Sequence, residues 1–202
     1  MKKESLWHKT VSVPAYSPLS EGLRTDVAVI GGGIAGILTA FELTRRGVRC
    51  TVLEAGRILS GQTGNTTAKI TSQHGLIYDK LINTIGFEHA RAYAAANERA
   101  VSDYGRLVRE RGIDCEFKTL PSYVYSTKNA EYLKKEAESA ASLGIAASFV
   151  TDVMLPFPTA GAVRFENQAQ FHPLKFLTSL LPGLETVSYT HLTLPTTSRV
   201  EI

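Results

Sequence analysis

The sequence predicts an α/β fold that is built on a β-α-β unit close to the N-terminus. An apolar, β-branched run at residues 26–30 ends in Gly31, Gly32 and Gly33, which is typical of a buried parallel strand followed by a tight turn. Apolar residues then recur at helical spacing, at Ile34, Ile37, Leu38 and Phe41. A second strand is predicted at residues 48–53, so the connection is a right-handed crossover.

The rest of the chain adds both helices and strands to this unit. Residues 1–25 contain two prolines and no helical stripe, so we expect an irregular arm. A loop is predicted at 58–73, which is rich in Gly, Ser, Thr and Asn. Helices are predicted at 76–85, 88–111, 129–143 and 174–181, and strands at 122–126 and 162–165.

Composition excludes several classes of protein. The 22 basic and 19 acidic residues give a net charge of +3, which argues against a nucleic-acid-binding surface. Two cysteines cannot build a disulfide framework or a four-ligand metal site, and we expect no metal site. The longest uncharged run, residues 27–41, is shorter than a membrane span, and no signal peptide begins the chain. We therefore expect a cytoplasmic protein without a membrane span.

The glycine turn carries the first chemical signal. Gly31, Gly33 and Gly36 form a G-x-G-x-x-G motif that follows a predicted strand and opens a predicted helix. The first glycine permits the turn, the second lets a pyrophosphate approach the backbone, and the third allows close packing of helix and strand. The free N–H groups around Ile34 and Ala35 can then bind phosphate.

An acidic residue follows at the spacing that nucleotide binding requires. Glu54 ends the second predicted strand, 18 residues beyond Gly36, and can accept hydrogen bonds from the ribose hydroxyls of an adenosine. A carboxylate at this place also repels a 2′-phosphate, which argues against NADP. The alternative is a glycine turn that only packs a sheet, beside a solvated glutamate.

The motif alone does not distinguish FAD from NAD. The small-residue loop at 60–69 comes directly after the acid and can extend along the rest of a long dinucleotide, which favours FAD. A nicotinamide enzyme would more often enter a helix at this point. A flexible surface loop is the structural alternative.

These motifs resemble the glycine and D-amino-acid oxidase (DAO-type) flavoenzymes. The resemblance lies in the glycine motif, in Glu54-Ala55-x-Arg57 and in the loop at 63–68. Residues 66–74 and 167–175 resemble a narrower branch, similar to γ-glutamylputrescine oxidoreductases, whose members carry a C-terminal Rieske domain. This chain has no Cys-x-His and Cys-x-x-His pair, so it cannot ligate a Rieske cluster itself.

The resemblance implies a three-layer FAD/NAD(P)-binding, Rossmann-like domain with part of an interleaved antiparallel substrate domain. It places the FAD-binding region at 26–119, a partial substrate domain at 120–172 and a return helix at 173–186. The cofactor-binding residues that we predict are Gly31, Gly33, Ile34, Ala35, Gly36, Glu54, Ala55, Arg57, Thr63, Thr66, Thr67 and Ala68.

The function implied is oxidation of a small-molecule amine or amino-acid-like substrate by hydride transfer to the flavin. The electron acceptor would be oxygen or an iron–sulfur centre in a part of the protein outside this chain. No catalytic residue is assigned. The alternatives are an NAD-dependent dehydrogenase and a non-catalytic FAD-binding scaffold, which flavin absorbance and its bleaching by an amine would distinguish.

The C-terminal segment at 187–202 looks like a translated sequencing adapter, so we leave it out of the fold prediction. We therefore expect the sequence to be a fragment that retains flavin weakly and has no turnover of its own. Four single residues are assigned structural roles: His74 in a loop, His172 at a helix start, Cys50 in a strand core and Cys115 in a strand. For His74 the alternative is a hydrogen-bond donor or proton relay near the flavin ring.

Overall fold

The computed structural model describes residues 5–17, 19, 22, 24–185 and 189–191. The helices are α1 (Leu6–Thr10), α2 (Ile34–Arg45), α3 (Tyr78–Ile85), α4 (Phe87–Arg111), α5 (Glu131–Ser142), α6 (Pro173–Leu180) and α7 (Pro182–Glu185), with a 3₁₀ turn at Gln62–Asn65. The strands are β1 (Val27–Ile30), β2 (Cys50–Glu54), β3 (Lys69–Ile70), β4 (Lys118–Ser126), β5 (Ala147–Val150), β6 (Gly161–Gln170) and β7 (Tyr189–His191). The predicted α/β class is thus confirmed, with one parallel and one antiparallel sheet.

The chain divides into two compact units. The first unit contains residues 1–67, 113–115 and 172–202, and the second contains 68–112 and 116–171. These units follow chain packing rather than function. The predicted functional boundaries at 25, 119, 172 and 186 stay predictions.

A parallel sheet in the order β1-β2-β7 forms the centre of the first unit. Val27 pairs with Cys50 and Ile30 with Leu53, which is the register of the predicted crossover. Helix α2 covers this unit and packs against α6 and α7. The short strand β7 lies inside the predicted adapter segment, and the origin of that segment stays a prediction.

Three predictions about the first unit are wrong. Strand β1 is not buried on both faces, since Ala28 and Ile30 are exposed. The N-terminal arm is not irregular throughout, because Leu6–Thr10 form a helical turn. Cys115 lies at a bend rather than in a strand, although its side chain is fully buried. Cys50, by contrast, lies in β2 and is buried, as predicted.

The second unit is an antiparallel sheet covered by helices. Strand β6 is central and pairs with β3, β4 and β5. The apolar faces of β6 and of helices α3 to α5 meet in one core, which contains Tyr78, Ala90, Ala94, Leu133, Ala137, Ala140, Leu143, Ile145, Val163 and Phe165. Burial raises the pKa of the Tyr78 phenol above its usual value, and the protonated hydroxyl donates to the Ser72 carbonyl at 2.7 Å.

One buried carboxylate joins two helices of this core. Glu136 of α5 is 1% exposed, and its oxygens accept the N–H groups of Ile77 and Tyr78 at 2.8 Å and of Asp79 at 3.0 Å. These donors lie at the start of α3, where N–H groups have no partner within the helix. Glu136 therefore caps α3 from another helix, and its charge faces the positive end of the helix dipole.

We predict that Glu136→Ala lowers the free energy of unfolding by about 3 kcal/mol, because it leaves several buried N–H groups without an acceptor. Chemical denaturation of the chain measures this change. Glu138→Ala, at an exposed position of the same helix, is the control and should change stability by less than about 0.5 kcal/mol. Equal effects of the two substitutions would contradict the capping role.

Candidate functional site

The turn between β1 and α2 brings its glycines into very close contact with the backbone. A Cβ atom added at Gly36 would lie 1.9 Å from the Gly31 carbonyl oxygen, far inside any allowed contact. Gly31 has a φ of +100°, which L-residues rarely adopt. The Gly31 N–H donates to the Leu53 carbonyl at 2.7 Å, which ties the turn to β2. Both glycines are therefore required by geometry.

Gly32 has a role that the motif did not indicate. Its N–H donates to Oε2 of Glu54 at 2.7 Å, and a Cβ atom at this position would lie 2.8 Å from Cγ2 of Ile58. Glu54 also accepts the Gly56 N–H through Oε1 at 2.8 Å. Gly32, at the first x position of the motif, thus has little room for a side chain, and its N–H holds the Glu54 carboxylate beside the turn.

The Glu54 carboxylate keeps acceptor capacity beyond these two bonds. Its side chain is only half-buried, and each carboxylate oxygen can accept two hydrogen bonds. Two backbone N–H groups fix its direction at the end of β2, next to the glycine turn. A sugar with vicinal hydroxyls can therefore be bound without breaking either bond.

The start of α2 also receives a side chain from the loop that follows β2. Oγ1 of Thr63, in the 3₁₀ turn, accepts the Ile34 N–H at 2.9 Å. Gly33, the N-cap residue, lies beneath it, and a Cβ added there would lie 3.1 Å from the same oxygen. The Thr63 hydroxyl therefore accepts a hydrogen bond from one of the N–H groups at the start of α2. The positive end of the helix dipole favours an anion at the same place.

The remaining predicted residues lie along the same loop. Ala55 and Arg57 are exposed, and the Arg57 carbonyl accepts the Ser60 hydroxyl at 2.6 Å in a tight turn. Thr66 is half-buried and Thr67 is exposed. Ala68 is buried in the second unit with a φ of +59°, an unusual conformation for alanine.

The histidines that the sequence singled out have structural partners. His172 caps α6, since its Nδ1 accepts the Lys175 N–H at 3.2 Å, as expected for a helix-start residue. His74 is exposed, and its Nε2 lies 3.3 Å from the Asn97 amide oxygen. In the part of the chain that the structure describes, no group of three or more His, Cys, Asp or Glu side chains could hold a metal ion.

Comparison with known proteins establishes the family. Residues 26–186 match the DAO family of FAD-dependent oxidoreductases, and the chain belongs to this family. It is 42% identical over 181 residues to the Bacillus subtilis protein YhfW, provisionally named a Rieske 2Fe-2S iron-sulfur protein, covering 88% of this chain and 35% of YhfW. It is 28% identical over 125 residues to the γ-glutamylputrescine oxidoreductase of Escherichia coli, covering 58% of this chain and 28% of that protein.

Solved structures show the same fold at low sequence identity. Glycine oxidase from Geobacillus kaustophilus matches 84% of this chain, and the match covers 46% of the oxidase, with a TM-score of 0.60 and 21% identity. L-proline dehydrogenase from P. horikoshii also matches, and the match covers 84% of this chain and 44% of the dehydrogenase, with a TM-score of 0.63 and 20% identity. The chain spans about a third of the length of the curated relatives it matches, and about half that of the solved structures.

We predict that Gly36→Ala destabilises the chain by about 3 kcal/mol, since the new methyl group meets backbone that cannot move without breaking the turn. Thermal or chemical unfolding measures the loss. Gly183→Ala is the matched control, because a Cβ there meets nothing within 4 Å and the residue lies in α7. If the Gly36→Ala chain were as stable as this control, the claim that the Gly31 carbonyl excludes a side chain at position 36 would be contradicted.

Proposed function

We propose that this chain binds FAD and forms part of an enzyme that oxidises an amine or amino-acid-like substrate. The observation that carries the proposal is the bond between Glu54 and the Gly32 N–H, which fixes the acid beside the glycine turn. Gly31, Gly33 and Gly36 leave the backbone of that turn open to a diphosphate. The N–H groups at the start of α2 supply the positive field.

The roles of the other site residues follow from their order along the chain. Ile34 and Ala35 would bind the pyrophosphate through their backbone, with Thr63 exchanging its bond to Ile34 for one to the ligand. Ala55 and Arg57 would lie by the adenosine and pyrophosphate. The later part of the loop would pass beside the pyrophosphate, the ribityl chain and the flavin ring, through Thr66, Thr67 and Ala68.

The loop after β2 favours FAD over NAD. The chain does not enter an α-helix there but makes a turn and a 3₁₀ segment, whose Thr63 reaches the start of α2. This loop contacts the N-terminus of α2, where the phosphates would bind, and then continues along the chain to Ala68. A loop of this length can follow an extended dinucleotide. An NAD-dependent dehydrogenase remains the alternative that ligand binding decides.

When bound, FAD supplies the redox chemistry, by accepting a hydride from the C–H bond next to the amine. The chain's own residues hold the ADP half and orient the loop, and no side chain of the chain is assigned as a base. Oxygen or an iron–sulfur centre would then take the electrons, and the name of the relative YhfW supports the second.

A cavity in the second unit, lined by both polar and apolar residues, supports an amino-acid-like substrate. It has a volume of about 430 Å³, and Lys69 is the only side chain with a formal charge among the described residues that line it. Gln73, Ser122 and Gln168 also line it, and the Ser122 hydroxyl donates to the Gln73 amide oxygen at 2.7 Å. One cation among neutral hydrogen-bonding groups suits a substrate that carries a carboxylate.

We predict that Glu54→Gln weakens FAD binding by about 10- to 100-fold, because hydrogen bonds from the ribose to a charged acceptor are replaced by weaker ones. Titration of the apo chain with FAD, followed by flavin fluorescence, measures this change. Glu42→Gln is the control, since Glu42 lies on α2 in exposed ion pairs with Arg45 and Arg46. Binding of NAD in preference to FAD, or equal affinity in the two variants, would contradict the proposal.

We predict that an amino acid bleaches the FAD-loaded enzyme that contains this chain under anaerobic conditions, and that Lys69→Met slows this reduction about tenfold. The substitution should change little the rate at which the corresponding amine, which lacks the carboxylate, reduces the flavin. Stopped-flow absorbance measures both rates. Bound FAD that no amine or amino acid reduces would favour the non-catalytic scaffold instead.

A further inference from the structure

The helical turn α1 contacts the predicted FAD-binding loop through two side chains. The Trp7 indole N–H donates to the Thr66 carbonyl at 2.9 Å, and the Ser5 hydroxyl donates to the Gly64 carbonyl. The two acceptors lie on either side of Asn65, within the small-residue loop. Segments 59 residues apart in sequence are thus joined by hydrogen bonds to loop backbone.

Gly64 lies close both to the His8 side chain of α1 and to the loop's own backbone, and the backbone contact leaves no room for a side chain. A Cβ atom at Gly64 would lie 2.0 Å from Nε2 of His8 and 2.8 Å from the Leu59 carbonyl oxygen. Gly64 is buried between these two segments. Gly64 directly follows Thr63, so the same contact also fixes the backbone beside the residue whose hydroxyl reaches the start of α2.

A second set of contacts joins α1 to His172, the cap of helix α6. Oγ1 of Thr10 lies 2.8 Å from Nε2 of His172, and the Trp7 ring meets the His172 ring edge-on with centroids 4.9 Å apart. Because Nδ1 of His172 accepts the Lys175 N–H, the neutral ring carries its proton on Nε2 and donates it to Thr10. The helical turn is therefore held by both sets of contacts.

We propose that α1 acts as a latch that holds the loop at 61–67 in its FAD-binding conformation, with Trp7 as the positioning residue. The proposal rests on the proposed function, since it takes this loop to bind FAD. Ordering a loop residue costs about 1–2 kcal/mol. Bonds that are already made in the free chain remove part of that cost from ligand binding, which raises affinity.

The decisive variant is Trp7→Phe, which keeps an aromatic ring against His172 but removes the donor to Thr66. We expect its dissociation constant for FAD to rise about fivefold, as for one lost hydrogen bond. Amide hydrogen exchange of residues 61–67 in the apo chain should become faster. Ser5→Ala removes the second bond to the loop and should act in the same direction.

Leu6→Ala is the matched control, because Leu6 lies on the same helical turn and is 63% exposed. It should change neither FAD affinity nor exchange of the loop. Trp7 is the only tryptophan of the chain, so its fluorescence also reports directly on the latch. We expect FAD to quench this emission in the unaltered chain and in Leu6→Ala.

The outcomes separate the latch from the proposed function. Trp7→Phe with unchanged FAD affinity overturns the latch, whether or not exchange of the loop becomes faster, while FAD binding itself stands. An unaltered chain that takes up no FAD contradicts the proposed function, and the latch with it. Weaker FAD binding with normal stability of the apo chain supports a positioning role, since a general loss of folding would lower the unfolding temperature as well.

Discussion

The contact between Gly36 and the Gly31 carbonyl determines how closely α2 packs against the end of β1. Only a residue without a side chain lets helix α2 begin this close to the end of β1, where the separation to a Cβ would be 1.9 Å. The first turn of α2 then lies within reach of the end of β2 and of the loop beyond it. Glu54 and Thr63 use that proximity, each bonding to a backbone N–H of the turn or helix start. The candidate site is thus a consequence of helix–strand packing.

A comparison of Glu136 with Glu54 shows how similar hydrogen bonds can have different functions. Glu136 accepts three backbone N–H groups and is 1% exposed, so solvent and ligands cannot reach it. Glu54 accepts two and stays half-exposed at the end of a strand. Burial leaves the first with only a structural role, whereas the second keeps lone pairs that can face a ligand. The bonding pattern alone would not separate them.

The sequence predicts the part of the site that local chemistry determines. A strand, a glycine turn, a helix and an acid lie within 30 residues, and each step follows from residue type and spacing. Contacts between distant segments leave no comparable signal. Trp7 reaches Thr66 across 59 residues and Glu136 reaches Tyr78 across 58, and neither pair stands out in sequence. The sequence also predicted a buried strand where Ile30 is exposed. An apolar run indicates a strand, but the segments that cover the strand come from elsewhere in the chain and are not indicated by the run.

The backbone of the loop after β2 adopts an unusual conformation at two residues that carry side chains. Leu59 has a φ of +60° and Ala68 a φ of +59°, which for residues with a side chain costs about 1–2 kcal/mol each. Each is held in place by a backbone bond, from the Leu59 N–H to Gly32 at 2.9 Å and from the Phe171 N–H to Ala68 at 3.3 Å. A surface loop under no constraint would relax to cheaper conformations. Leu59 and Ala68 are both buried, so packing also holds this strained backbone, and a loop shape fixed in this way fits the FAD-binding role proposed above.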